Sequence, residues 1–495
     1  MFWKISGREK CSLLQLNHHK SASSQQTLPL YNRPDFMQNL ATFLLILLTA
    51  GAFAQSSVTP VIRTKNTSLT MYLDGERAKF SGINDISRDF SYDFGLEKEA
   101  VPFILVSETD SVAMVIRYGQ TTRLLIIRQA KGDTVTCQFT SHKQVKAATF
   151  TNAYKKANEG KTIVDIPEVY ELIHVVFALT AYGKTEAIHK NSPYYPAMIA
   201  YFSPYQKHPI VATIDSLLTV SGDNYPNLKM DSYAYQFLGD RIQNGGVYDR
   251  VSWGEVNTLA PYITRLESFA RESGFRAFFR KQQPYYNQLL TDYRKNIDVA
   301  TMKQWLEKQF PTTRYSAVKI LFTPLVGWNQ SANNFNDNGF AEAQAHVNYP
   351  FIDAEDRKQP PAVTRGQRMK IVFTELNHSY LNPEAEKYQD KVALGFSDLT
   401  KWITPKTPSA GYNNPLQCFE EYMNYGLVTL FYNDLFDRPT FETLRTRMEK
   451  GMTTQRGFRQ FDTFNQELLR LYQQRKPGQT VADLYPAILD WTAKR

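Results

Sequence analysis

The segment KIVFTELNHSYLNP, residues 370–383, determines how the rest of this 495-residue chain is interpreted. On a helix, Thr374, Glu375 and His378 share one face, and apolar residues can supply the buried side. A Glu followed three positions later by a His matches the last four residues of H-E-x-x-H, in which two histidines bind zinc and the Glu acts as general base. Thr374 stands at the first ligand position of that motif.

The pattern Glu-x-x-His carries little information on its own, because it occurs three times: Glu171/His174, Glu186/His189 and Glu375/His378. The second copy lies in a loop-like stretch. A hydrogen-bonded polar pair in a helical core is the ordinary alternative to a metal site, and His174 is predicted to be such a core histidine. Two helical copies would also suit a di-iron carboxylate bundle, which needs two further helical glutamates, but the first and third copies lie far apart in sequence.

The surroundings of the third copy favour a metal-site interpretation. Residues 341–351 (AEAQAHVNYPF) alternate like a strand before the motif helix, and a later helix carries CFEEYMNYG, with Glu420 and Glu421. Strand, motif helix and glutamate helix in this order are the layout of gluzincins, zinc peptidases whose third ligand is a downstream Glu.

With these segments the chain resembles an uncharacterised bacterial domain-of-unknown-function family of secreted, zincin-like metallopeptidases, over most of residues 165–470. The order and spacing of several segments carry the resemblance. They are VYELIHVVFALTAYG (169–183), YFSPYQKHPIV (201–211), FARESGFRAFFRKQQPYY (269–286), VFTELNHSYLNP (372–383) and the helix of Glu421.

The resemblance implies roles for individual residues. Glu375 corresponds to the general base and His378 to the second zinc ligand, with Asn382-Pro383 as the turn that follows. Glu421 rather than Glu420 corresponds to the third ligand, because the family's small residue five positions later then falls on Gly426. Thr374 replaces the first His, which leaves two of the usual three protein donors and predicts an impaired or altered site.

Two hypotheses about activity follow. In the first, the protein is a metal-dependent peptidase that uses zinc with Glu375, His378 and Glu421, and His346, Tyr422 or Tyr425 stabilises the oxyanion. Glu375 would then either polarise the bound water or become a ligand itself. In the second, the protein is a degenerate member, a secreted scaffold that binds peptide or glycan without a metal. The sequence contains no glycine-rich nucleotide-binding motif, so no organic cofactor is expected.

The N-terminal region predicts export. Leu40–Ala54 (LATFLLILLTAGAFA) is an uncharged apolar run that ends in a small-x-small cleavage site before Gln55, as in a secretory signal. It is shorter than the roughly 20 residues of a membrane span. Met37 is a candidate true start, because the preceding residues are polar and patternless. The mature protein is therefore expected to be secreted or periplasmic, with no stable membrane span.

The charge of the chain does not indicate a nucleic-acid partner. Lys and Arg number 57 and Asp and Glu 48, a net charge of +9. Loss of residues 1–54 removes five positive and two negative charges and leaves a net of +6, without a run of five like charges. A peptide or protein substrate remains the expected partner, and the oligomeric state stays open. Cys137 and Cys418 could form one disulfide, although their spacing does not show that they meet.

The hydrophobic periodicity predicts an α+β fold: an N-terminal antiparallel β-module, then a mainly helical zincin-like domain with a small mixed sheet. After the dispensable residues 1–54, we expect a β-rich module at 55–160, a helical subdomain at 165–312 and a zincin-like core at 313–495. Within that core the pattern predicts a motif helix over 363–380, a further helix over 384–403 and the glutamate helix over 416–431. Residues 328–339 (WNQSANNFNDNG) are predicted to form a loop.

Overall fold

The computed structural model describes residues 11–12, 59–65, 69–77, 89–129, 131–144, 146–254 and 256–495. Met37, the signal-like run Leu40–Ala54 and the predicted cleavage site lie outside these residues. The chain forms two compact units, Met1–Gln144 and Val145–Arg495. No helix within the described ranges is long and apolar enough to cross a membrane.

The first unit consists of β-strands. They are β1 (Cys11–Ser12), β2 (Val61–Thr64), β3 (Thr70–Leu73), β4 (Glu76–Arg77), β5 (Phe90–Leu96), β6 (Ala100–Val106), β7 (Ser111–Arg117), β8 (Thr121–Arg128) and β9 (Asp133–Lys143). One sheet has the order β4-β3-β6-β7 and the other β1-β5-β9-β8-β2. Both contribute to one apolar core, in which the rings of Phe103 and Phe139 are 4.8 Å apart.

The predicted antiparallel meander is correct for the hairpins β6–β7 and β8–β9, whose alternating burial follows the period of two. It is wrong for the rest of the second sheet, since β2 pairs with β8 and β5 with β9 in parallel. The hydrophobic pattern within a strand does not depend on which strand it pairs with. A mixed sheet and an antiparallel meander therefore have the same local sequence pattern. Cys137 lies buried in this core, and both it and Cys418 are free thiols.

The second unit has a four-stranded mixed sheet, as the α+β interpretation predicts. Its strands are β10 (Thr162–Asp165), β13 (Ala317–Leu321), β14 (Ser331–Asp337) and β15 (Phe340–His346), in the order β10-β13-β15-β14. The first three in that order run parallel, and β14 pairs antiparallel with β15. A separate hairpin joins β11 (Tyr235–Leu238) to β12 (Arg241–Asn244) within the predicted helical subdomain.

The loop predicted for residues 328–339 is wrong over most of its length, because it contains β14. The asparagines that suggested a loop include one with a structural role: the buried Asn333 donates from its side chain to the carbonyl of Val251 at 2.8 Å. Asn338 and Gly339, with φ of 50° and 75°, form the turn between β14 and β15. An Asn-Gly pair with two positive φ angles is the preferred two-residue hairpin connection.

Fourteen helices of the described part follow the first unit. They are α1 (Asn152–Asn158), α2 (Glu168–Leu179), α3 (Tyr194–Phe202), α4 (Pro209–Val220), α5 (Asn224–Asp231), α6 (Ile263–Glu272), α7 (Phe275–Asn296), α8 (Val299–Gln309), α9 (Pro361–Glu386), α10 (Gln389–Gly395), α11 (Pro415–Leu435), α12 (Arg438–Lys450), α13 (Phe461–Gln473) and α14 (Tyr485–Thr492). The predicted helix over 384–403 is wrong: α9 ends at Glu386, and the separate α10 ends at Gly395.

The motif helix α9 continues past the predicted end at Tyr380, through Pro383. A proline inside a helix removes the N–H that would bond to the carbonyl four residues earlier, which here belongs to Ser379. The hydroxyl of Tyr315 donates to that carbonyl at 2.9 Å and replaces the missing donor. Asn382, expected in a turn, therefore lies one helical turn after His378.

Candidate functional site

Helices α9 and α11 pack together and bring the motif residues to the downstream glutamate. The side-chain amide of Asn377 on α9 donates to the carbonyl of Asn424 on α11 at 3.0 Å. Next to this contact, Nε2 of His378 lies 3.9 Å from Oε2 of Glu421, which is 4% exposed. Glu421 therefore faces the motif helix.

The two ring nitrogens of His378 have different hydrogen-bond partners. Nδ2 of Asn424 lies 2.8 Å from His378 Nε2 and 3.3 Å from Glu421 Oε2. Because a carboxylate only accepts, the amide nitrogen is the group that faces it and can donate to both. His378 Nε2 then accepts, and Nδ1 carries the proton and donates to Oδ1 of Asn382 at 3.1 Å. In this arrangement Asn424 occupies the Nε2 lone pair of His378.

The other oxygen of Glu421 is bound by a cation of the protein itself. Nη2 of Arg456 donates to Oε1 at 2.7 Å, and the hydroxyl of Tyr412 donates to the same oxygen at 2.9 Å. Arg456 also donates to the hydroxyls of Tyr412 and Tyr425, and its guanidinium carbon lies 4.8 Å from the Tyr425 ring centroid. These hydrogen bonds and the cation–π contact fix the ion pair between Arg456 and Glu421 in place.

Arg456 owes its position to an irregular turn. Residues Gly451–Gln455 form a π-helical turn after α12, and the N–H of Arg456 donates to the carbonyl of Gly451 at 3.0 Å. π-Helical turns are rare in proteins, and many of those that do occur lie at functional sites. The turn redirects the chain so that Arg456 reaches a glutamate on α11.

Glu375 makes no hydrogen bond to any described residue and keeps part of its surface exposed. Burial of its carboxyl raises its pKa to about 7, since the attraction of His378 only partly offsets the desolvation. Lys229 on α5 is fully buried, and burial lowers its pKa to about 7 against the opposing effect of Glu375. Its Nζ donates to the carbonyl of Asn329. Two groups of opposite type thus titrate near neutral pH at this site.

The remaining predicted residues are Tyr425, Thr374, Tyr422 and His346. Tyr425 contacts Arg456, as described. The hydroxyl of Thr374 donates to the carbonyl of Ile371 in its own helix at 2.8 Å. Tyr422 is fully buried, and its hydroxyl donates to the carbonyl of Trp402 at 2.7 Å, which makes it a core residue. His346 is also fully buried, and its Nε2 lies 3.2 Å from Oε1 of Gln344 on its own strand.

Four residues of the site were not identified from the sequence: Lys229, Tyr412, Asn424 and Arg456. Asn424 had a detectable signal, because it follows Glu421 by three positions on a helix and therefore shares its face. The other three come from α5, from the segment before α11 and from the residue that follows the π-helical turn. Their positions depend on tertiary packing, which no local pattern reports.

The residues present do not fit a zinc ion. Structural and catalytic zinc sites use three or four protein donors, and no group of three or more His, Cys, Asp or Glu with suitable geometry occurs among the described residues. Glu421 is bound by Arg456, the Nε2 lone pair of His378 by Asn424, and the hydroxyl of Thr374 by its own helix. Cys418, a conceivable soft ligand, is buried, and burial raises the pKa of its thiol.

The other two copies of Glu-x-x-His are structural. Glu171 and His174 are buried on α2; Tyr194 donates to Glu171, and burial lowers the pKa of His174 to about 3. Nδ1 of His174 lies 2.7 Å from the carbonyl of Tyr170, consistent with a core histidine. His189 lies in a non-helical segment and stacks on Phe351 with ring centroids 4.3 Å apart.

Comparison with known proteins places this unit in a family. No curated protein and no solved structure matches the chain. Residues 163–490 match the model of a domain of unknown function, DUF4932. This stretch spans the sheet β10-β13-β15-β14, the motif helix, the glutamate helix and Arg456. Because it covers more than half of the sequence, the chain belongs to the DUF4932 family.

Proposed function

We propose that this protein is a secreted, zincin-like protein that has lost metal-dependent hydrolysis and binds peptides at the site around Glu375. The observation that carries the proposal is the ion pair between Arg456 and Glu421 at 2.7 Å. A carboxylate that serves as a zinc ligand has its charge neutralised by the metal. Here a guanidinium neutralises it, held in place by two tyrosine hydroxyls.

The first ligand position supports the same conclusion. Thr374 has a neutral hydroxyl that already donates to its own helix, and a threonine is a poor zinc donor compared with an imidazole. Without a metal-bound water, Glu375 has no activated nucleophile to deprotonate. A carboxyl with a pKa near 7 can still accept or donate a hydrogen bond to a peptide group.

Zinc content of the purified protein tests the proposal. The chain from Gln55 would be loaded with zinc, freed of loosely bound metal by gel filtration and measured by mass spectrometry, beside His378→Ala. We expect no stoichiometric zinc in either protein. One zinc per chain that disappears in His378→Ala would overturn the proposal.

A metal-dependent peptidase is the second candidate, and one observation favours it. Nδ1 of His378 is held by Asn382 at 3.1 Å, which is the kind of outer hydrogen bond that orients Nε2 of a metal-binding histidine. This function requires Arg456 to release Glu421. It would be supported if the zinc-loaded protein cleaved a fluorescent casein substrate and lost that activity with a chelator and in Glu375→Gln.

Export is part of the proposal and rests on the sequence of Leu40–Ala54. Expression of the full chain in a bacterial host, followed by N-terminal sequencing of the exported product, tests it. We expect Gln55 as the first residue. A product that retains the apolar run would contradict cleavage at this position.

A further inference from the structure

A cleft of about 490 Å³ lies between the C-terminal ends of helices α8 and α13. It is lined by Lys308 and Gln309 of α8, by Gln473 of α13 and by residues 475–480. Its volume falls within the range of small-molecule binding sites, about 300–1,000 Å³. The cleft shares no lining residue with the site around Glu375, so a ligand bound here would be independent of the peptide proposed there.

The wall of the cleft is positively charged. Lys308, Arg475 and Lys476 line it, and no Asp or Glu that the structure describes is part of the lining. Within the described part of the chain, the ammonium groups of Lys308 and Lys476 have neither a hydrogen bond nor an ion pair. Both groups can therefore bind a ligand without giving up a contact inside the protein.

The guanidinium of Arg475 is held in one orientation. Its central carbon lies 3.5 Å from the ring centroid of Tyr472, and Nη1 donates to the carbonyl of the same residue. The ring itself is fixed by Gln309, which donates to the Tyr472 hydroxyl at 3.3 Å. Nε and Nη2 of Arg475 have no hydrogen bond to a described residue. These two groups form the edge of the fork that binds an oxyanion through two parallel hydrogen bonds.

The loop that carries Lys476 is a tight turn. The N–H of Gln479 donates to the carbonyl of Lys476 at 3.1 Å, and the N–H of Lys476 donates to Oε1 of Gln479 at 2.8 Å. Pro477 and Gly478 occupy the two central positions, and Gly478 has a φ of 85°, as a type II turn requires. Because the turn is fixed before a ligand arrives, binding orders little additional backbone.

The two helix ends are a structural alternative for these cations, since a positive charge near the C-terminus stabilises a helix. Each helix end carries about −0.5 charge, so the two ends offset about one of the three positive charges. Asp483, whose carboxylate accepts from the N–H and the hydroxyl of Thr480, offsets one more at most. A net positive charge remains, and the cleft therefore favours an anion.

We propose that this cleft binds a sugar phosphate, either free or at the end of a glycan chain. A phosphomonoester carries about −1.5 to −2 charges at pH 7 and three acceptor oxygens, which match the fork of Arg475 and the two ammonium groups. The volume leaves room for an organic body beside the phosphate. Oε1 of Gln473 and Nε2 of Gln479 can bind its hydroxyl groups, because the other amide atoms of these side chains already contact Asn433 and Lys476.

Isothermal titration calorimetry of the chain from Gln55 in low-salt buffer tests the proposal. Four probes are titrated: mannose 6-phosphate, pentamannose 6-phosphate, mannose and inorganic phosphate. We expect both phosphorylated sugars to bind saturably, about tenfold more tightly than inorganic phosphate, and mannose not to bind. The tighter of the two phosphorylated sugars shows whether the free sugar or the glycan chain is the better ligand.

Variants connect the binding to the cleft. Lys308→Ala with Lys476→Ala should weaken the binding of the phosphorylated sugars by about tenfold, and Arg475→Lys should also weaken it, because the charge stays but the fork is lost. Lys184→Ala is the matched control: it removes an exposed lysine from another cleft, of about 420 Å³, and should leave the affinity unchanged. No binding of either phosphorylated sugar, equal affinity for inorganic phosphate, or unchanged affinity in the double variant would each overturn the proposal.

Discussion

Nη2 of Arg456 lies 2.7 Å from Oε1 of Glu421, and this pair joins a π-helical turn to the helix that faces the motif residues. The glutamate side chain is 5% exposed and the arginine side chain 27%. A buried carboxylate needs a counter-charge and further hydrogen bonds, and here Tyr412 and Asn424 complete its shell. Arg456 therefore supplies the positive charge that stabilises the buried carboxylate of Glu421.

Loss of Arg456 should destabilise the fold. Arg456→Gln leaves Glu421 charged and buried, and removal of one partner of a buried pair costs about 3 kcal/mol at the low end of the usual range. Urea unfolding of the chain from Gln55 measures the change. The matched control is Arg470→Gln, which breaks a solvent-exposed pair with Glu467 and should change the stability far less. Equal effects of the two variants would contradict a structural role for Arg456.

Glu375 should make stability depend on pH between about 4.5 and 7. Burial raises its pKa to about 7 in the folded protein, so across this window the unfolded chain releases a proton that the folded protein keeps. Stability therefore falls as the pH rises from 4.5 to 7. Glu375→Gln removes this pH-dependent loss. The free energy of unfolding of the variant, relative to the wild type, should therefore rise by roughly 2 kcal/mol between pH 4.5 and 7, after allowance for the partial exposure of Glu375.

The control for that measurement is Glu171→Gln, because burial raises the pKa of Glu171 to about 7 as well. Each variant should remove its own share of the slope, and the double variant more than either. Unfolding free energies from urea titrations at pH 5, 6, 7 and 8 provide the comparison. An advantage of Glu375→Gln that does not change with pH would show that Glu375 has an ordinary pKa.

Lys229 should make stability depend on pH above about pH 7, and in the opposite direction to Glu375. Burial lowers its pKa to about 7, so from pH 7 upward the folded protein has released a proton that the unfolded chain keeps up to about pH 10.5. Stability therefore rises with pH. Relative to Lys229→Met, the wild type should gain about 2 kcal/mol between pH 7 and pH 9. Parallel stability curves for the two proteins over this range would contradict the prediction.

The sequence predicts the elements of the fold better than their pairing. Period-two segments identify β6 to β9, and the period of the helix identifies α9 and α11. The parallel pairs β2/β8 and β5/β9 depend on contacts between distant segments. The helix α9 was predicted too short, because the rule that proline ends a helix holds only where no other donor is present. Tyr315 supplies that donor from a distant segment.

The site shows the same limit. A single helical face predicts that Glu375 and His378 lie together, and the resemblance adds Glu421. The residue that changes the chemistry, Arg456, follows Glu421 by 35 positions and reaches it only through the π-helical turn. Sequence reasoning identified Thr374 as the departure from a zinc motif. It could not show that Arg456 forms an ion pair with Glu421.

Gly426 lets α11 pack closely against α13. A Cβ on Gly426 would lie 2.6 Å from Cδ2 of Leu468, so Gly426→Ala forces the two helices apart or displaces the leucine. Because the clashing atom is the end of a flexible side chain, we expect a cost of about 1 kcal/mol, at the low end for overpacking. Thermal unfolding measures the loss, and Gly426→Ala with Leu468→Val should recover part of it. A double variant no more stable than Gly426→Ala would contradict this explanation.

Restoring a histidine at position 374 tests whether the site retains zincin geometry. Thr374→His adds a third donor on the face that carries His378, and Thr374→His with Arg456→Met also frees Glu421. We expect weak zinc binding by the single variant and one tightly held zinc per chain in the double variant, with an affinity on the order of 10–100-fold higher. Competition with a fluorescent zinc chelator measures both, and His378→Ala in the double-variant background is the control. If the double variant binds no zinc although it folds, α9 and α11 do not have the zincin arrangement, and the resemblance is limited to the sequence.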